Sequence, residues 1–259
     1  MRSAQSAAVP PLPVSILAAG RGNRLSPLTD ETAKCLLPLG TTCALALLFD
    51  ALEDSPAVSQ VLVVVGHARR RVESFVAERA PRLSVQLVDN PQYDTANNIV
   101  STHLLAGRCD GGFLLVNSDV VCDPSILQEV LMADGGSFLV VDPARPPREE
   151  AMKVRFDASR LVEIAKTLDP TTADGEYIGI TRFDAQGAAA FFRATAAIID
   201  EGGTDEWYEA AIARAARGVP FGFHSTRGRP WIEIDDHVDL ERARRDVLPR
   251  LRLAKTLES

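Results

Sequence analysis

The feature that most constrains this chain is an alternation that runs through its first 145 residues. Short β-rich apolar runs at residues 14–18, 60–65, 84–88, 112–117 and 137–141 are separated by segments at 42–53, 68–79, 98–107 and 124–132 that read as helices. Strand and helix in strict turn predict βαβ units, and hence a mostly parallel sheet with both faces covered. The pattern then changes. Residues 151–156, 161–166 and 177–183 read as strands joined by turns, which predicts a small antiparallel portion. Helices are expected at 185–200 and 205–217, strands near 221–224 and 231–235, and an Arg- and Glu-rich amphipathic helix from residue 238. Residues 1–13, rich in Ala and Pro, read as a flexible tail ahead of a single domain over 14–259.

With 46% hydrophobic residues in 259, the chain can bury a substantial core. A formal charge of −7 argues against duplex nucleic acid or an anionic membrane as a partner. Cys35, Cys43, Cys109 and Cys122 include no CxxC pair, so neither a disulfide scaffold nor a structural zinc site is expected, and reduced thiols in a cytoplasmic protein are. The apolar run at 14–20 is too short to span a bilayer, and Arg21 and Arg24 follow it at once, unlike a signal peptide.

The strongest local signal is the string Leu17-Ala-Ala-Gly-Arg-Gly-Asn-Arg-Leu-Ser-Pro-Leu-Thr29, followed by Lys34. Glycines let the backbone approach a ligand closely, and successive N–H groups in such a turn form an anion-binding nest. Arg24 and Lys34 add a planar fork and a mobile point charge for phosphate oxygens. The string is not a Walker loop. It is not GxGxxG either, because Leu25 stands at the third glycine position, which argues against a dinucleotide-binding oxidoreductase.

Three acidic residues in two segments accompany the loop. Asp119 follows the apolar strand at 112–117, at the carboxyl end where open α/β sheets bind ligands. In Trp231-Ile-Glu-Ile-Asp-Asp236, a strand would place Glu233 and Asp235 on one face with Cβ atoms roughly 6–7 Å apart, and Asp236 on the other. Asp119, Glu233 and Asp235 form a plausible hard-oxygen set for Mg2+.

The string from Leu17 to Thr29 resembles the signature of the sugar- and alditol-phosphate nucleotidyltransferase superfamily. Ala33 departs from it, because the family usually has proline before the lysine. The resemblance implies a Rossmann-like three-layer α/β fold with a mostly parallel central mixed sheet and a small antiparallel, acceptor-side portion. It also implies that Leu17, Ala19, Gly20, Arg21, Gly22, Arg24 and Lys34 embrace a nucleoside triphosphate. The ending Glu-Ile-Asp, followed by Asp-Leu-Glu-Arg-Ala, is most similar to the phosphocholine and phosphonate cytidylyltransferase branch. That branch has a comparable Asn-Asn in its pyrimidine loop, so Asn97 and Asn98 are expected to read cytosine, although an N-cap role is also open to them.

The implied reaction is Mg2+-dependent transfer of CMP from CTP to a small phosphonate or phosphate monoester, such as an aminoalkylphosphonate, a hydroxyalkylphosphonate or phosphocholine, with release of pyrophosphate. Lys153 would pair with the acceptor phosphate, while Glu176 or Asp205 meets an amine and Tyr177, Trp207, Tyr208 or Trp231 stacks beside it. An inositol phosphate or sugar 1-phosphate acceptor is the enzymatic alternative. A non-catalytic nucleotide sensor is the alternative of another class, and the presence of all the expected charged residues argues against it. A homodimer is left open.

Overall fold

Val61, Val63 and Val65 turn to one face of a strand and Leu62 and Val64 to the other, and all five are fully buried. A strand apolar on both sides belongs inside a sheet covered on both faces, as the uninterrupted VLVVV run predicts. The computed structural model describes residues 10–53, 55–79, 82–143 and 147–251. Its strands are β1 (Leu12–Ala18), β2 (Val58–Val65), β3 (Val85–Asp89), β4 (Gly112–Asn117), β5 (Val120–Cys122), β6 (Ser137–Asp142), β7 (Lys153–Asp157), β8 (Arg160–Ala165), β9 (Gly175–Asp184), β10 (Phe221–Ser225) and β11 (Trp231–Glu233). Its α-helices are α1 (Ala44–Leu52), α2 (Arg69–Arg79), α3 (Asn98–His103), α4 (Pro124–Met132), α5 (Ala185–Asp200), α6 (Tyr208–Ala216) and α7 (His237–Arg242).

The main sheet runs in the order β10-β6-β9-β4-β1-β2-β3. β1 is parallel to both β2 and β4, and β9 runs antiparallel to both β4 and β6. Chain connections leave β1 on one side for β2 and return on the other as β4. That reversal opens a crevice at the carboxyl ends of β1 and β4, where α/β sheets bind ligands. The α1, α2 and α4 helices cover one face and α3, α5 and α6 the other. The antiparallel portion is the β7–β8 hairpin attached to β9.

Three boundaries differ from expectation. Leu12 and Pro13 pair with β2, so the Ala/Pro-rich segment read as a tail already contains the start of β1; residues 1–9 lie outside those described. The strand expected at 231–235 ends at Glu233, because it has only the three-residue β5 to pair with. The helix expected from residue 98 stops at His103. Among the described residues no helix is long and apolar enough to cross a membrane.

Candidate active site

The loop after β1 is held open by one glycine in particular. Gly22 has φ 68°, and a Cβ there would sit 3.3 Å from both Lys34 Cβ and Thr29 Cγ2. The Thr29 hydroxyl donates to the Gly22 carbonyl at 2.9 Å, closing the turn on itself. Gly20 is different: nothing lies within 4 Å of where its Cβ would be, so its missing side chain leaves room rather than relieving a clash. Leu17 and Ala19 anchor the loop by their carbonyls, which accept from Ser118 N–H and His67 N–H. Ala33 has φ −63° and ψ 139°, the conformation proline would fix. Replacing the expected proline therefore leaves the approach to Lys34 unchanged.

The acids converge because β11 pairs with β5. Glu233 lies opposite Val120, next to Asp119, and the N–H of Ile234 donates to the Asp119 carbonyl at 3.1 Å. Carboxylate oxygens of Asp119, Glu233 and Asp235 all lie within 4.8 Å of one another. Lys34 Nζ pairs with Asp119 and reaches Asp235 at 3.2 Å; Arg24 reaches Asp235 at 3.0 Å and Glu150 at 3.7 Å. Asp119 Oδ1 is buried and has no hydrogen-bond partner. Asp236, excluded above on strand geometry, instead caps α7 by accepting from Val238 and Asp239 N–H.

Burial, then the charges of Asp119 and Asp235, push the Glu233 carboxyl well above the usual carboxylate range. Burial works the same way on Asp235, but Lys34 and Arg24 outweigh it and hold Asp235 below the usual range. Lys34 is itself held above the ordinary ammonium range: burial opposes its charge, and Asp119 and Asp235 overcome that opposition. Three crowded carboxylates, one with an orphaned oxygen, suit a small hard cation.

Loop, cations and acids share one cavity of about 830 Å³, within the size range of small-molecule sites. A family model for the MobA-like NTP transferase domain matches residues 14–176, more than half of the chain. The chain belongs to that family.

The chain is 27% identical over 234 residues to the "Bifunctional IPC transferase and DIPP synthase" of Aquifex aeolicus, covering 89% of this chain and 50% of that protein. It is 31% identical over 137 residues to the "CMP-5'-(3-aminopropyl)phosphonate synthase" of Streptomyces rubellomurinus, covering 52% of this chain and 22% of that one. It thus spans half or less of the length of these curated relatives. Two solved structures share its fold. The CTP:phosphocholine cytidylyltransferase of Streptococcus pneumoniae has a TM-score of 0.71 at 19% identity, covering 90% of this chain and 98% of that one. The inositol-1-phosphate CTP transferase of T. maritima has a TM-score of 0.73 at 17% identity, covering 93% and 99%.

On the nucleotide side, Arg21, Asn97 and Asn98 all line the cavity. Arg21 faces Asp94 at 3.9 Å. Asn97 is the N-cap of α3: its Oδ1 accepts from Asn98 N–H, and its Nδ2 donates to the Asp205 carbonyl. Asn98 Oδ1 accepts from Tyr208 N–H at 2.9 Å. Each oxygen has a second lone pair that these bonds do not use.

The acceptor side departs from expectation. Lys153 is fully buried and outside the cavity lining, and its ammonium donates to the carbonyls of Arg148, Glu149 and Ala151. A lysine with its donors committed to backbone cannot also anchor a phosphate. Arg148, by contrast, is exposed at the cavity lining, 3.4 Å from both Glu176 and Asp239. Glu176 and Asp205 also lie outside the lining: Glu176 is buried behind Arg148, and Asp205 contributes its carbonyl to Asn97. Tyr177 lines the cavity, but its hydroxyl bonds to Thr181 at 2.7 Å and Tyr208 at 2.9 Å, so it acts as buried scaffold. Lys166, Trp207 and Glu209 line the cavity as well, and of these three the sequence marked no role for Glu209.

Proposed function

We propose that the chain transfers CMP from CTP to a small phosphonate or phosphate monoester, releasing pyrophosphate, with Mg2+ held by Asp119, Glu233 and Asp235. The carrying observation is the convergence in one cavity of the Gly20–Gly22 loop, Arg24, Lys34 and three carboxylates with an orphaned oxygen. The donor set is all hard oxygen, which fits Mg2+; when bound, the ion would neutralise phosphate charge. An acceptor oxygen attacks the α-phosphorus as the bond to pyrophosphate breaks. The acceptor is already anionic at neutral pH, so no protein nucleophile or base is needed. Lys34 and Arg24 supply fixed positive charge beside the acids, and the glycine loop holds the triphosphate in line. Cytidylyltransferase relatives support CTP as the nucleotide.

An inositol phosphate acceptor is the second reading. It is favoured by the wall of Lys166, Trp207 and Glu209, which offers charged hydrogen-bonding groups and no free aromatic box. The test is pyrophosphate release with CTP, UTP, ATP and GTP against 2-aminoethylphosphonate, phosphocholine, inositol 1-phosphate and glucose 1-phosphate, with and without EDTA. CTP with a phosphonate or non-sugar phosphate monoester should be fastest, and EDTA should abolish release. Glucose 1-phosphate as the best acceptor, or full activity in EDTA, would contradict the proposal.

A further inference from the structure

Two carboxylate oxygens among the described residues are buried without a hydrogen-bond partner: Asp119 Oδ1 and Glu209 Oε2. Both residues line the same cavity. A buried carboxylate oxygen left unpaired is costly, and such groups persist where a ligand completes them. Asp119 belongs to the cation-binding cluster, but Glu209 does not. Glu209 is only 5% exposed and sits in the first turn of α6, two residues after Trp207. The residue just past β8, Lys166, places its Nζ 4.3 Å from the centroid of the Trp207 ring.

This wall limits what it can bind. A quaternary ammonium needs open aromatic faces. Here the Trp207 face already carries an ammonium, and the hydroxyls of Tyr177 and Tyr208 bond to each other. What the wall offers instead is a carboxylate oxygen in need of an N–H or O–H donor. We propose that Glu209 reads the headgroup of the acceptor substrate through Oε2, taking a headgroup that donates hydrogen bonds, a primary ammonium or a hydroxyl, in preference to a quaternary ammonium. The proposal rests on the nucleotidyl-transfer reading and adds to it a specificity residue and an acceptor class.

The experiment compares wild type, Glu209→Ala and Glu209→Gln with CTP and four acceptors: 2-aminoethylphosphonate, inositol 1-phosphate, phosphocholine and ethylphosphonate, which has no headgroup donor. In the wild type, one of the first two should exceed phosphocholine and ethylphosphonate by at least about tenfold in kcat/KM, the discrimination of a site built around a hydrogen bond. Glu209→Ala should collapse that ratio through the KM of the acceptor and leave the KM of CTP unchanged. Glu209→Gln distinguishes the sources, because an amide oxygen still accepts from a hydroxyl but no longer pairs with an ammonium charge. Rescue by Gln identifies a hydroxyl headgroup, and failure of rescue an ammonium. An unchanged ratio in Glu209→Ala, or phosphocholine as the best wild-type acceptor, overturns the role of Glu209 while leaving nucleotidyl transfer standing. Absence of CTP-dependent pyrophosphate release with every acceptor overturns the transfer reading and this inference with it.

Discussion

Replacing Glu209 by Gln should make the metal-free protein more stable as pH rises, although it removes a residue from the site. Burial pushes the Glu209 carboxyl from an ordinary 4.5 up to about 7; its own N–H, Lys166 and Tyr208 pull it back only in part, and Asp119 adds to the push. In the unfolded chain the group ionises near 4.5. Between that pH and about 7 the folded protein holds a proton that the unfolded chain has released. Stability therefore falls as pH rises through this window, by ~1.4 kcal/mol per pH unit, and levels off above the folded value. The full loss is ~3 kcal/mol. Glutamine has nearly the same shape and does not titrate, so it escapes this loss. Urea unfolding in EDTA at pH 5, 6, 7 and 8 should show the variant gaining steadily on the wild type. At pH 8 the gap, ~3 kcal/mol at most, corresponds to a rise in Tm of roughly 6–12 °C for a chain of this size. Parallel pH profiles, or a gap that widens toward acid, would refute the argument that Glu209 is held in the fold against its own ionisation.

Asp119→Ala, Glu233→Ala and Asp235→Ala should each lower kcat at least about 100-fold with the circular dichroism spectrum retained, since each removes a ligand from the proposed cation; a Glu233→Ala/Asp235→Ala double variant with wild-type turnover would exclude that site. Gly22→Ala should lower stability by roughly 1–2 kcal/mol because it forces Cβ into a left-handed turn, whereas Gly20→Ala should melt like the wild type and raise the KM for CTP. Lys153→Ala should destabilise by roughly 3 kcal/mol by leaving buried carbonyls without their donor, and it should not raise the acceptor KM; Arg148→Ala should raise the acceptor KM. CTP should be used at least about tenfold better than UTP, with the preference weakened in Asn98→Ala, and equal kcat/KM for the two nucleotides in the wild type would refute the cytosine reading.

The parallel half of the sheet was legible because strands buried on both faces advertise themselves: VLVVV in β2 and FLLVN in β4 admit little else. The loop and the carboxylates were legible because their spacing along the chain is tied to the ends of β1, β4 and β11. What the sequence hid was burial and pairing. Val120–Cys122 is too short to read as a strand, yet its pairing with β11 brings Glu233 beside Asp119. Lys153 opens a strand and looks like a surface cation; nothing local shows that three carbonyls close over its ammonium. Glu209, an acid in the first turn of a helix, looks like an ordinary complement to the helix dipole. That its Oε2 is buried without a hydrogen-bond partner is a three-dimensional fact.

Transfer of CMP to the acceptor forms a new phosphorus–oxygen bond between them. Phosphorus NMR of the protein incubated with CTP, Mg2+ and either 2-aminoethylphosphonate or inositol 1-phosphate observes that bond directly. A mutually coupled pair of resonances from the new anhydride should appear in step with pyrophosphate, as the signals of CTP and one acceptor decline. Unchanged CTP with both acceptors, or CTP decaying to CDP and inorganic phosphate while the acceptor resonance stays intact, would contradict it.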